Sequence, residues 1–347
     1  NHYDFIDGFV ASGRRHSDTA RFLNEVRPFV EDVAFECTIH PASSSDPQGG
    51  GQMYERSQNC FTADTTPRRS HNWIAGLVRY YEHTGDEFVR DTIVQNAAFM
   101  IGNGSVPTTQ LNFGIWRDWG WSIQNLVQAY LLEGDISYLT YSKNIVSVLN
   151  QWIQSCATQY GADVRGFIPQ SISVTQCYNS NVIYPAELNG NYDAMFMNGI
   201  LTKGLAELHY WDKRRAGSED IAVRNAFLDL TEFLRTRTRV PGTGNDHPNY
   251  PTSYLPRAVK NKICQFHIQP FGNPQVYCSN PALSFPIAGT GNALALPGFP
   301  TGPLTSLAYD VGNIVISQDW TYPLGYAYTL TGNQDYLSFL EEIWKAN

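Results

Sequence analysis

The stretch HNWIAGLVRYYEHTGD, at residues 71–86, decides the fold. Asn and Trp stand at its start, an apolar run rich in Leu and Tyr follows, and Gly-Asp ends it. The same order recurs in DWGWSIQNLVQAYLLEGD (118–135) and, with Gly-Asn at the end, in DWTYPLGYAYTLTGN (319–333). A Gly in the left-handed conformation ends a helix, and the Asp or Asn after it caps the next one. The repeat therefore predicts helical hairpins.

Four such hairpins are predicted. They cover about 72–102, 119–155, 193–237 with a longer turn at 209–220, and a final pair of helices that turns at Gly332-Asn333. Consecutive hairpins form a superhelix or close into a ring. We expect an all-α fold, specifically an α/α toroid of about five to six hairpins, closed or incomplete, with long irregular loops.

The whole chain, 1–347, is predicted to be one toroid domain, because no linker isolates a second one. Residues 1–15 are expected to be irregular, and the apolar spacing over 16–37 predicts a helix. Residues 238–302 are a long Pro/Gly-rich insertion without periodicity, and a short helix is expected over 303–316.

The composition limits the classes of ligand. The net charge is −8, whereas a protein that holds a phosphate backbone needs a positive surface, so no nucleic-acid partner is expected. Charged residues make up only 16% of the chain and aromatic residues 13%, which suits a sugar-like ligand but also a well-packed core. No run of 18 apolar residues exists, so no membrane span is predicted.

The cysteines predict an oxidising compartment. Short loops are the least costly to close, so we expect the disulfides Cys37–Cys60, Cys156–Cys177 and Cys264–Cys278. Asn103-Gly104-Ser105 is a glycosylation sequon. These features predict a secreted protein. The chain begins without a signal segment, so we expect a mature chain or one part of a longer one, and further domains or copies of the chain are open as partners.

Polar and aromatic clusters precede the first helix of each hairpin. They are His71-Asn72-Trp73, Trp116-Arg117-Asp118-Trp119-Gly120-Trp121, Asn191-Tyr192-Asp193 and Gln318-Asp319-Trp320. If the first helices form the inner ring, the four clusters meet on one rim around one cleft. Their Asn and Asp residues also stand where a helix needs an N-cap. Among the indoles, Trp73, Trp121 and Trp320 are expected in the core, and Trp116 and Trp119 at the surface.

His71 is the first candidate for proton transfer, because histidine titrates near neutrality. The arginines before it, Arg68 and Arg69, suit a carboxylate. The predicted catalytic residues are His71, Tyr192, Arg69, Asp118 and Asp193. The predicted substrate-binding residues are Trp116, Arg117, Trp119, Asn72, Arg68, Tyr80, Asp319 and Trp320. No metal site and no cofactor are predicted, and a structural calcium ion is left open.

Two mechanisms fit these residue types. In one, an Arg, Asn or His neutralises a uronate carboxylate, Tyr or His removes the neighbouring proton, and the glycosidic oxygen leaves by β-elimination. In the other, two carboxylates hydrolyse the bond, and the candidates are Asp118, Asp193 and Asp319, with Asp64 or Glu187 from loops. A toroid that binds glycan without catalysis, or that builds an extracellular structure, is the third hypothesis.

One segment carries a resemblance. Residues 49–91, from GGGQMYERSQNCF to RRSHNWIAGLVRYYEHTGDEFVRD, resemble the α/α-toroid domains of secreted carbohydrate-active enzymes. They are most similar to the toroid part of exo-rhamnogalacturonan-lyase-like proteins, where a Gly-rich loop, His-x-Trp and Tyr-Tyr-x-x-Thr-Gly-Asp occur in this order. The resemblance implies a polysaccharide lyase or a relative that acts on polysaccharide.

Overall fold

The structure of the chain is a computed structural model, and most of the residues that it describes are helical. It describes residues 5–16, 20, 22–40, 48–53, 67, 69–102, 115–160, 165–166, 195–237, 258–259, 262–268, 274–278 and 313–346. The chain divides into two compact units. Unit 1 comprises 1–106 with 117–145, and unit 2 comprises 107–116 with 146–347. That all 347 residues form one domain stays a prediction.

Unit 1 is built from helices around an apolar core. Its elements are α1 (Phe5–His16), π-helical turns at Phe22–Val26 and Asp32–Glu36 on either side of α2 (Arg27–Glu31), a 3-10 turn (Arg69–His71), α3 (Ala75–Thr84), α4 (Glu87–Ile101), α5 (Ile115–Glu133) and α6 (Ile136–Tyr160) as far as Ile145. Helix α3 packs against α1 and α4. Ile6, Leu77, Ile93 and Leu126 are fully buried there.

Unit 2 contains the remaining helices. These are the rest of α6, α7 (Met195–Ala216), α8 (Ile221–Arg237), α9 (Asn313–Thr331) and α10 (Gln334–Ala346). Helix α9 packs against α7, α8 and α10, and α7 packs against α8. Leu205, Phe227, Leu324 and Phe339 are fully buried at these contacts. The order of helices therefore follows the predicted hairpins.

The four hairpin turns share one geometry. Gly85, Gly134, Gly217 and Gly332 have φ between 68° and 73°, and the N–H of each donates to the carbonyl four residues earlier at 2.7–2.9 Å. The side chain of Asp86, Asp135, Asp220 or Asn333 then accepts a backbone N–H two residues ahead, at 2.8–3.1 Å. The helix, tight turn and second helix predicted from the sequence are confirmed at Gly85, Gly134 and Gly332, and the third hairpin turns at Gly217 rather than over the longer segment predicted.

The segment expected to be an irregular insertion contains a small sheet. Its strands are β1 (Ala258–Val259), β2 (Lys262–Ile268) and β3 (Pro274–Cys278), which pair antiparallel in that order. The expectation of irregular structure is wrong for these residues. KICQFHI and PQVYC contain β-branched and aromatic residues, and polar and apolar residues alternate from Cys264 to Ile268, which favours strands.

The sheet brings two cysteines together. Cys264 and Cys278 are direct partners across β2 and β3. Residues opposite each other in an antiparallel pair lie about 4.5–5.5 Å apart between Cα atoms, which is within the range a disulfide requires. Cys37 is disulfide-bonded, but its predicted partner Cys60 lies outside the described residues, as does Cys177, the predicted partner of Cys156. The three pairings stay predictions.

The N-terminal segment differs from its prediction. Residues 5–15 are helical rather than irregular, because Ile6 and Val10 are both fully buried one helical turn apart. An ion pair of 2.6 Å between Asp7 Oδ1 and Arg79 Nε further ties α1 to α3. The helix predicted over 16–37 is found as π and α turns from Phe22 to Glu36.

Two further boundaries were also wrong. Helix α7 continues to Ala216, so most of the turn predicted at 209–220 is helical. That segment has no Gly before Gly217, and Arg215 bridges back to Asp212 at 2.8 Å. A short helix was predicted over 303–316. Residues 303–312 lie outside the described residues, and residues 313–316 are the start of the longer helix α9.

Candidate functional site

Asn72 lies at the centre of a buried group of amide side chains in unit 1. We call Gln52, Asn72, Asn96 and Asn125 the amide cluster, and each is at most 3% exposed. Asn72 Oδ1 accepts hydrogen bonds from the backbone N–H of Gln52 at 2.7 Å and from Asn96 Nδ2 at 2.6 Å. Asn125 Nδ2 donates to the Asn72 carbonyl at 3.0 Å and to Asn96 Oδ1 at 3.2 Å.

The amide cluster holds a loop against α4 and against the segment that precedes α3. Gln52 exchanges two hydrogen bonds with the backbone of Trp73, at 2.8 and 3.0 Å, and Asn96 Nδ2 reaches the Gly50 carbonyl at 3.0 Å. Helix α3 begins after Ile74, which makes no side-chain cap bond, so the interpretation of Asn72 as a helix cap is wrong. Its position indicates a structural role, because buried polar networks fix a unique core.

The indoles beside this cluster are buried. Trp73 and Trp121 are 5% and 6% exposed and meet edge to face at 5.9 Å, so their predicted core positions are confirmed. His71 meets Trp73 in the same way at 5.9 Å and is 7% exposed. The expectation that Trp119 is at the surface is wrong, because it is 1% exposed. WRDWGW lies within the first turns of α5, and a helix turns its residues towards different sides.

The other described candidates of unit 1 are also enclosed. Tyr80 is 2% exposed, stacks on Phe22 at 5.6 Å, and has a pKa that burial raises. Arg117 is 7% exposed. Arg69 Nη2 donates to the Ile101 carbonyl at 3.5 Å. Asp118 lies in the first turn of α5 rather than before it, so it is not the N-cap but favours the helix dipole.

Several predicted site residues are not placed by the structure. Arg68, Asn103, Tyr192 and Asp193 lie outside the described residues. Trp116 belongs to α5, and Asp319 and Trp320 belong to α9, where Asp319 stands well inside the helix instead of capping it. The convergence of four clusters on one rim stays a prediction.

Unit 2 contains a polar group that sequence reasoning missed. His209 on α7 is fully buried, and its Nδ1 lies 2.7 Å from the hydroxyl of Tyr326 on α9. Its Nε2 lies 3.2 Å from Glu219 Oε1 in the turn after α7. We call Tyr326, His209 and Glu219 the His209 cluster.

The protonation states in this cluster follow from burial. Burial lowers the pKa of His209, an effect that Glu219 partly opposes, so the imidazole is neutral at pH 7. Burial also raises the pKa of Tyr326 to about 12, so its hydroxyl is protonated. The Glu219 carboxylate beside Nε2 favours the tautomer that carries the imidazole proton on Nε2, and in that tautomer Nδ1 accepts from the Tyr326 hydroxyl.

The surroundings of the cluster are cationic and aromatic. Lys213 Nζ and Arg224 Nε each lie 3.6 Å from Glu219 Oε1. Tyr322, which is 40% exposed, stacks on Tyr326 with ring centroids 5.9 Å apart and 3° between the planes. The half-buried phenol of Tyr326 thus links the buried imidazole of His209 to the more exposed ring of Tyr322.

Sequence reasoning could not find the His209 cluster. His209 was assigned to a turn, and Tyr326 stands in an apolar helix whose period explains it as core. The two residues are 117 positions apart. The available signal was the polar residue His209 in a helix with fully buried neighbours such as Leu205 and Leu208.

Comparison with protein-family models, curated proteins and solved structures finds no match to this chain. Within the described ranges, no group of three or more His, Cys, Asp or Glu residues is arranged to hold a metal ion. A search of the same ranges finds no helix with the length and apolar character needed to cross a membrane.

Proposed function

We propose that the chain is a secreted α/α-toroid enzyme that cleaves uronate-containing polysaccharide by β-elimination. The His209 cluster carries this proposal, because it joins a half-buried phenol to a buried neutral imidazole at 2.7 Å with a carboxylate behind it. The four helical hairpins and the likeness of residues 49–91 to toroid domains of polysaccharide lyases support the toroid. The six cysteines support secretion.

Tyr326 and His209 act as one proton-transfer pair in the proposed reaction. The phenolic oxygen takes the proton from the carbon next to the uronate carboxylate while the phenolic proton moves to His209 Nδ1. The electrons of the C–H bond form a carbon–carbon double bond, and the glycosidic C–O bond breaks with its electrons on the leaving oxygen. Returning the proton through Tyr326 to that oxygen restores both side chains.

Glu219 has an electrostatic role in this scheme. When His209 gains the proton, Glu219 lies 3.2 Å from its Nε2 and stabilises the imidazolium, as a carboxylate does for a catalytic histidine in other enzymes. The two proton transfers, from the sugar to Tyr326 and from Tyr326 to His209, occur together because the pKa of Tyr326 is about 12 and that of His209 is lowered. Full transfer of the tyrosine proton before substrate binds is therefore unfavourable.

A glycoside hydrolase is the alternative. Hydrolysis needs two carboxyl groups on either side of the bond. In the His209 cluster the carboxylate Glu219 already contacts Lys213, Arg224 and His209, which favours elimination over hydrolysis. A toroid that binds glycan without catalysis is the other alternative.

Product analysis tests the proposal. The protein is incubated with polygalacturonate, rhamnogalacturonan, alginate and glycosaminoglycans, and each reaction is followed by ultraviolet absorbance of the unsaturated uronate and by reducing ends. We expect both signals to rise together on one acidic polymer. Reducing ends without the absorbance would establish the hydrolase instead. Binding without either signal would establish the non-catalytic alternative.

A further inference from the structure

An arginine at the end of α7 is held in place by two aromatic rings. Arg214 Nη1 donates to the Tyr210 hydroxyl at 2.8 Å. Its guanidinium carbon lies 5.5 Å from the Tyr210 ring centroid and 5.7 Å from that of Trp211. Tyr210 and Trp211 are themselves packed edge to face at 5.0 Å. We call Tyr210, Trp211 and Arg214 the Arg214 platform.

Arg214 differs from the cations around it in its contacts with carboxylates. Its neighbours Arg215, Lys213 and Arg224 each contact a carboxylate, either Asp212 or Glu219. Within the described part of the chain, by contrast, Arg214 contacts no carboxylate and has only its contacts to Tyr210 and Trp211. It is exposed, and its planar guanidinium has five N–H donors.

The platform adjoins the His209 cluster. The Tyr210 ring meets the Tyr326 ring edge to face, with centroids 6.1 Å apart. The platform therefore shares an aromatic contact with the tyrosine that bonds His209. An arginine fixed by stacking loses little freedom when it binds, and its planar fork matches a carboxylate.

We propose that Arg214 binds the carboxylate of an acidic sugar next to Tyr326, with the platform rings flanking the guanidinium. The inference rests on the proposed function and adds the residue that selects a uronate over a neutral sugar. The net charge of the chain is −8, so attraction of a polyanion depends on a local cation such as this one.

Equilibrium binding tests the assignment with an oligogalacturonide as probe and its fully methyl-esterified form as the neutral analogue. Calorimetry is performed on wild type, Arg214→Gln and Arg27→Gln. Arg27 is an exposed surface arginine whose removal causes the same change in net charge. We expect Arg214→Gln to weaken binding of the acid about tenfold to a hundredfold, as for a lost charge-assisted hydrogen bond, and to leave binding of the ester unchanged.

Arg27→Gln should bind both probes as wild type does, and Arg214→Lys should be intermediate because it keeps the charge without the fork. Far-ultraviolet circular dichroism checks that each variant folds. Equal affinity of wild type and Arg214→Gln for the acid, or no binding by wild type, would overturn the inference.

The outcomes separate this inference from the proposed function. Arg214-dependent binding without any turnover supports the platform and refutes the lyase. If the protein cleaves the polymer and Arg214→Gln changes neither KM nor kcat, the role of the platform is refuted and the proposed lyase activity is retained.

Discussion

Replacing Asn72 with Ala removes the central acceptor of the amide cluster. Asn72 Oδ1 accepts the Gln52 N–H at 2.7 Å and Asn96 Nδ2 at 2.6 Å, and neither residue is more than 3% exposed. A buried donor left without an acceptor costs about 1–3 kcal/mol. Asn96 retains its bond to the Gly50 carbonyl, so the second loss is partial. We expect Asn72→Ala to lower the free energy of unfolding by about 2–4 kcal/mol.

Urea denaturation followed by tryptophan fluorescence measures this loss, because Trp73 and Trp121 lie beside the cluster. Asn24→Ala is the control, since Asn24 is exposed and its replacement should change the free energy by less than about 0.5 kcal/mol. A double-mutant cycle with Asn96→Ala should show a coupling of about 0.5–3 kcal/mol. If Asn72→Ala is no more destabilising than Asn24→Ala, the amide cluster does not hold the loop and the argument fails.

Two further predictions concern a turn and a buried base. Gly85→Ala should destabilise the protein by about 1–2 kcal/mol, because φ at Gly85 is 68° and an alanine is strained in that conformation. Gly8→Ala inside α1 should instead stabilise the protein by about 0.5–1 kcal/mol. Equal effects of the two substitutions in urea denaturation would contradict this account of the turn. The pKa of His209 is lowered in the folded protein, so the unfolded chain binds a proton first as pH falls below about 6.5. As the pH falls through that range, the free energy of unfolding should decrease in wild type and decrease less in His209→Gln. If the free energies of unfolding of the two proteins change in parallel from pH 7 to pH 5, His209 is not a buried neutral imidazole.

The parts of the fold that depend on local sequence were predictable. Gly85 ends one helix and Asp86 caps the next within two residues, and the same is true of Gly134-Asp135 and Gly332-Asn333. In the helices on either side of these turns, apolar residues recur with the 3.6-residue period of a helix that buries one face. Local rules failed where tertiary contacts override them. Residues 1–15 were expected to be irregular, yet the buried Ile6 and Val10 stabilise α1.

The polar groups of the core were not predictable from spacing. Asn72 was interpreted as a possible helix cap, because Asn is common both at helix N-caps and in buried hydrogen-bond networks. Its partners Gln52 and Asn96 are 20 and 24 residues away, and no periodicity relates them. The same holds for His209 and Tyr326, which meet only because α7 packs against α9.

The most direct test of the central claim is the rate at which unsaturated uronate forms with wild type, Tyr326→Phe and Tyr328→Phe. Tyr328 lies on the same helix and makes a matched control. On the acidic polymer that wild type cleaves, we expect Tyr326→Phe to lower kcat by about 10²–10⁴-fold, as for loss of a positioned proton-transfer group, while Tyr328→Phe stays near the wild-type rate. A Tyr326→Phe enzyme that forms the product as fast as Tyr328→Phe would contradict the assignment of proton transfer to Tyr326 and His209.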